Sequence, residues 1–154
     1  MKVLLTAVAM AATMVCLPQA ALAASKGTAD EAVAMTKRAV ALIHSAGREK
    51  AFAEIANPAN TSFHDRDLYV YVYDMKGVTL AHGNNPKMVG KNLLELKDSE
   101  GKAIVKGLIE TANGPGGKGW VEFKWPNPVT KVVEQKSGYV EKVDDMIVGS
   151  GIYK

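Results

Sequence analysis

From Leu68 to Tyr73 the side chains alternate strictly: Leu68, Val70 and Val72 are aliphatic, and Tyr69, Tyr71 and Tyr73 carry aromatic rings with hydroxyls. Successive residues of a strand point to opposite faces of its sheet, so the pattern predicts a central strand with an aliphatic face and a tyrosine face. The aliphatic face needs a dry cover such as a helix. The tyrosine face offers apolar walls with polar tips, which suits either the wall of a pocket or packing under loops. Asp74-Met75-Lys76-Gly77 has turn chemistry, and Val78 to His82 completes a hairpin.

A helical period precedes this stretch. Ala32, Met35, Ala39, Leu42 and Ala46 recur at helical spacing, which predicts an amphipathic helix over Ala29 to Ala46. Thr28 and Glu31 form a capping-box pattern at its start, and Gly47 ends or kinks it. Glu49 to Ala56 reads as a short second helix with Phe52 and Ile55 inward, stopped before Pro58. After the hairpin, Ile104, Val105, Leu108, Ile109 and Ala112 mark another helix, with Asp98 or Ser99 as its cap and Asn113-Gly114 at its end. Three strands follow: Gly119 to Trp125, Val132 to Val143 and, beyond an Asp144-Asp145 turn, Met146 to Tyr153. The order predicts an α+β fold, a long N-terminal helix packed on an antiparallel sheet of about five strands, of PAS-like type.

The first residues obey a different pattern. Met1-Lys2 is positive, Val3 to Leu17 is apolar, Pro18 breaks the run, and Ala21-Leu22-Ala23 fits a cleavage site. The expectation is a signal peptide over 1–23, a single domain over 24–154 and a periplasmic location. The apolar run falls short of the roughly 20 residues that a membrane-spanning helix needs. The single cysteine, Cys16, lies inside it. The mature chain would then hold no disulfide, thiolate nucleophile, iron–sulfur cluster or attached c-type haem.

Composition narrows the chemistry further. A net charge of +3 with interspersed charges and no basic run gives no nucleic-acid signature. His44 stands alone on its helix, and His64, Asp65, Asp67 and His82 have no compact metal-ligand spacing, so no metal is expected. Gly114 to Gly119 leads into a strand rather than into Lys-Ser/Thr and a helix, which argues against a phosphate loop. Ser62-Phe63-His64-Asp65 has the residue types of a catalytic triad, but neighbouring side chains diverge. The reading is of a protein that is not an enzyme and carries no cofactor.

Several ordered motifs together resemble the single Cache domain family, type 2, of exported bacterial proteins. They are DLYVYVYDMKGVTLAHGNNPKMVGKNL, then GWVEFKWPNP, then KSGYV at Lys136 to Val140, and VGSGIY near the end. Phe123 stands where the family usually has Tyr, and Gln135 where a Pro commonly precedes the Lys. The resemblance implies an extracytoplasmic sensing domain for small molecules, commonly organic acids or amino-acid-like compounds. Carried over residue by residue, it implies a ligand site of Tyr71, Tyr73, His82, Trp120, Trp125, Lys136 and Tyr139. Strand parity sets Trp120 against Trp125, and Lys136 against Tyr139, unless a bulge intervenes.

Lys136 favours a carboxylate guest, because an ammonium among aromatic walls is costly to desolvate without a counter-charge. A cross-strand ion pair with Glu134 or Glu122 is its alternative. With no kinase, methyl-accepting or cyclase segment in the sequence, the expectation is a free-standing binding or sensing domain that signals through a separate membrane partner. The alternative function is a partner-binding protein without a small-molecule ligand, in which two copies form a homodimer through the N-terminal helix stripe from Ala32 to Ala46.

Overall fold

A computed structural model describes residues 26–154. The apolar N-terminal run, its cleavage site and Cys16 lie outside the described residues. Helix α1 (Ala29–Ala46) starts at the expected capping box: the Thr28 hydroxyl accepts the Glu31 N–H, and the Glu31 carboxylate accepts the Thr28 N–H at 2.8 Å. Gly47, at φ 82, ends α1, and α2 (Arg48–Ala56) follows at once. The strands are β1 (His64–Asp65), β2 (Leu68–Tyr69), β3 (Tyr71–Asp74), β4 (Thr79–His82), then, after α3 (Ile104–Asn113), β5 (Lys118–Pro126), β6 (Val133–Val143) and β7 (Met146–Tyr153).

Five strands form one antiparallel sheet in the order β4-β3-β7-β6-β5, so the last strand of the chain is its centre. The stretch expected to be one central strand is split at Val70. Its N–H goes to the Phe63 carbonyl and its carbonyl takes the Gly83 N–H, which diverts its backbone from the main ladder. β2 therefore pairs with β1, while β3 pairs with β4 and β7. Side-chain alternation survives the break.

Two buried layers result, one on each face. Leu68, Val70 and Val72 pack with Ala32, Met35, Ala39, Ile43, Ala51 and Ile55 under α1 and α2. Tyr69, Tyr71 and Tyr73 pack with Ile104, Val105, Leu108, Ile109 and Ala112 of α3. Of the α1 stripe, Ala32, Met35 and Ala39 are buried against the chain's own sheet, whereas Leu42 is half-buried and Ala46 exposed.

The start of α3 differs from expectation. It begins after Ala103 with no side-chain cap. Asp98 instead ties a loop to the sheet: one oxygen accepts the N–H groups of Glu100 and Lys102, and the other accepts the N–H of Lys124 in β5. Those backbone donors hold its carboxyl below the ordinary value. An aspartate followed by Ser and Gly serves a turn as readily as a helix cap.

Candidate functional site

On the tyrosine face, the sheet and α3 enclose a tight cavity of about 10 Å³, room for about one water molecule. Its walls include Tyr69, Tyr71, Tyr73, His82, Phe123 and Lys136, with Trp125, Leu96 and α3 closing the other side. Alternation on β2 and β3 delivers the tyrosines. Register delivers the rest: His82 lies opposite Tyr71, Lys136 opposite both Phe123 and Tyr153.

Lys136 is 1% exposed. Its Nζ lies 3.9 Å from the centre of the Tyr69 ring and 4.7 Å from that of Tyr153, and donates to the Tyr153 hydroxyl at 3.3 Å. Among the described residues it forms no salt bridge. Glu134 is taken by Lys26 and Glu122 by Lys154, and Glu122 sits opposite Ser137 on the other face of the strand, so the cross-strand ion pair does not form. Burial pulls the Lys136 ammonium down to about 7, against the opposing pull of the Asp67 carboxylate.

This depression has a sign. Between pH about 7 and the ordinary lysine value of 10.5, the unfolded chain holds a proton that the native protein has lost. Stability of the empty domain therefore rises with pH across that window, and below it the buried ammonium is carried at full cost.

His82 is also buried, with its ring centre 5.1 Å from that of Tyr69. Its Nδ1 accepts the Asn85 N–H at 3.0 Å, which places the imidazole proton on Nε2. Burial, and then the charge of Lys136, lower it to about 4, so it is neutral at physiological pH and can donate from Nε2.

The Tyr71 ring lines the cavity, but its hydroxyl is committed elsewhere. It donates to the Tyr139 carbonyl at 2.9 Å and lies 3.2 Å from the Ser150 carbonyl. Gly149 makes this possible, because a Cβ there would run into the Tyr71 ring. Tyr71→Phe is accordingly expected to keep the fold, lose about 1 kcal/mol of stability and leave guest affinity within about twofold. Urea denaturation and a binding titration on the same variant check both halves.

Of the residues named from sequence, the structure brings together Tyr71, Tyr73, His82, Trp125 and Lys136. Trp120 and Tyr139 stand apart from the cavity on the other side of the sheet, ring centres 5.1 Å apart, with the Tyr139 hydroxyl on Glu141. The reason is register: β5 and β6 pair without a bulge from Lys118↔Glu141 to Pro126↔Val133, so parity is never reset. Tyr69 and Tyr153 were missed, although Tyr69 begins the tyrosine row. Tyr153 could be found only by knowing that β7 pairs with β6.

Residues 4–154 match the family described as Single Cache domain 2. The chain belongs to this family. Its Cache domain is 31% identical over 107 residues to the sensor histidine kinase MctS of Rhizobium johnstonii, covering 68% of this chain and 23% of that protein. The chain thus spans less than a quarter of that relative's length. A crystal structure of a methyl-accepting chemotaxis protein from Vibrio parahaemolyticus superposes with a TM-score of 0.69 at 29% identity, covering 80% of this chain and 86% of that one. A structure titled as the basis for carboxylic acid recognition by a Cache chemosensory domain superposes at 0.62 with 24% identity, covering 77% and 83%, and at that identity bears on the fold alone. The Cache family is one of sensor domains, and this domain belongs among them.

Proposed function

We propose that the domain binds a small organic acid outside the cytoplasm and passes the event to a membrane signalling partner. Lys136 carries the reading: a buried ammonium, without a salt bridge among the described residues, faces a cavity with a neutral histidine beside it. A carboxylate in that cavity would be met by the Lys136 ammonium and the His82 Nε2–H, while the Tyr153 hydroxyl, which donates to the Pro126 carbonyl at 2.8 Å, accepts from the ammonium and orients it. Charge-assisted bonds of this kind are stronger where aromatic walls exclude water.

The tightness of the cavity favours a guest of few atoms, seated as Trp125 and Leu96 yield. The sensor status of the kinase relative supports a sensing role. No described helix is long and apolar enough to cross a membrane. Export with cleavage after Ala23 belongs to the proposal.

A thermal-shift screen of short carboxylates, amino acids and purines tests it. A guest at 100 times its Kd stabilises the native state by about 2.7 kcal/mol, a readable shift. Short monocarboxylates are expected to raise Tm at pH 6.5 and to do so less at pH 9, because binding needs the lysine protonated. A response to purines or uncharged amides without one to acids would refute the reading.

A further inference from the structure

We infer that Asp67 is the resident counter-charge of the cavity, a positioning residue that keeps Lys136 cationic and ready for an anionic guest. The inference rests on the reading of Lys136 as the anion-binding group. Asp67 has no exposed surface. Its Oδ1 accepts the Gly27 N–H at 2.6 Å, but its Oδ2, equally buried, has no hydrogen-bond partner among the described residues. A carboxylate oxygen in that condition is costly unless positive charge stands nearby.

The neighbouring cations are committed to other acceptors. Arg66, turned by a positive φ of 56°, donates to Asp65, to Glu31 and to the Lys26 carbonyl. Lys26 reaches Glu134 and the Lys154 carbonyl. Lys136 remains.

Asp67 stands in the turn before β2, two residues before Tyr69, the ring that lies under the Lys136 Nζ. The same carboxylate also acts on Tyr153, the hydroxyl partner of that Nζ. Among the described residues, Lys136 is faced by the neutral Tyr69 from β2, Tyr71 from β3, His82 from β4 and Tyr153 from β7, and Glu134, on its own strand, is paired with Lys26. From α3 and β5 Lys136 meets only apolar and aromatic side chains. Among the described residues, Asp67 is the acid that opposes the loss of the Lys136 proton.

The test reads the lysine directly. The Lys136 13Cε shift, followed by NMR across pH on the empty protein, should show a midpoint near about 7. Asp67→Asn preserves an acceptor for the Gly27 N–H and removes the charge. Its Lys136 midpoint should fall by about one unit or more, and affinity for acetate at pH 8 should fall about tenfold while changing little at pH 5. Asp67→Glu should restore both.

An unchanged midpoint in Asp67→Asn would overturn the inference. If that variant does not fold, the Asp67 13Cγ shift serves in its place. In the parent it should step at the lysine's midpoint, and in Lys136→Met the step should vanish; a step that persists would overturn the inference equally. A protein that binds no carboxylate yet shows the shifted midpoints would refute the ligand reading and leave the charge pair standing.

Discussion

Replacing Val70 with Asp is expected to abolish folding, and far-ultraviolet circular dichroism with a urea titration reads the result. Val70 has no exposed surface and lies between Leu68 and Val72 in the layer beneath Ala32, Met35 and Ala39 of α1. A carboxylate there is set among the aliphatic side chains of that layer. Burying it, or protonating it to avoid the charge, costs several kcal/mol against a total stability of about 5–15 kcal/mol. Rotating the residue outward offers no escape, because its N–H and carbonyl are fixed to Phe63 and Gly83. A Val70→Asp protein with parental dichroism and an unchanged urea midpoint would show that this layer is not the core.

Lys136→Met is expected to keep the fold and to act strongly on binding. Met keeps the length of the stem against Tyr69 and removes a charge that is buried without a salt bridge. Met removes the cost of burying the ammonium but leaves the buried Asp67 carboxylate without its counter-charge, so gain and cost oppose each other and Tm at pH 6.5 should shift far less than in Val70→Asp. The charge-assisted bond to a carboxylate is worth roughly 1.5–3 kcal/mol, and its loss lowers affinity by about ten- to a hundred-fold. Thermal unfolding and calorimetry on the same preparation separate the two effects. A variant that is destabilised and binds as the parent does would make Lys136 a structural residue.

How much was legible in the sequence follows from where each determinant is written. The two layers were legible because alternation from Leu68 to Tyr73 and the period of α1 and α3 are local, and local pattern survives even where the strand is broken at Val70. The break itself was not, since it depends on carbonyl and N–H partners at Phe63 and Gly83, far from Val70 in pattern terms. Asp98 was assigned to the wrong element because its side chain can cap a helix or a turn with equal ease, and only the position of Lys124 decides.

The site shows the same division. Tyr71, Tyr73 and His82 follow from the hairpin, whereas the separation of Trp120 from Trp125 follows from an unbroken β5–β6 register that alternation alone predicted and motif matching overrode. Tyr153 escaped notice because its relation to Lys136 is made by strand order. Five strands can be ordered in many ways, and nothing local to Tyr153 announces that β7 lies between β3 and β6.

The central claim is that a carboxylate meets Lys136, and one thermodynamic cycle tests it most directly. Calorimetry is carried out on the parent and on Lys136→Met, each with the best acid from the screen and with its primary amide. If ammonium and carboxylate interact, the parent should prefer the acid by about ten- to a hundred-fold, the Met variant should prefer neither by more than about threefold, and the coupling should be roughly 1.5–3 kcal/mol, because one interaction cannot be lost twice. Strictly additive losses, with the Met variant still preferring the acid as strongly as the parent does, would contradict the account.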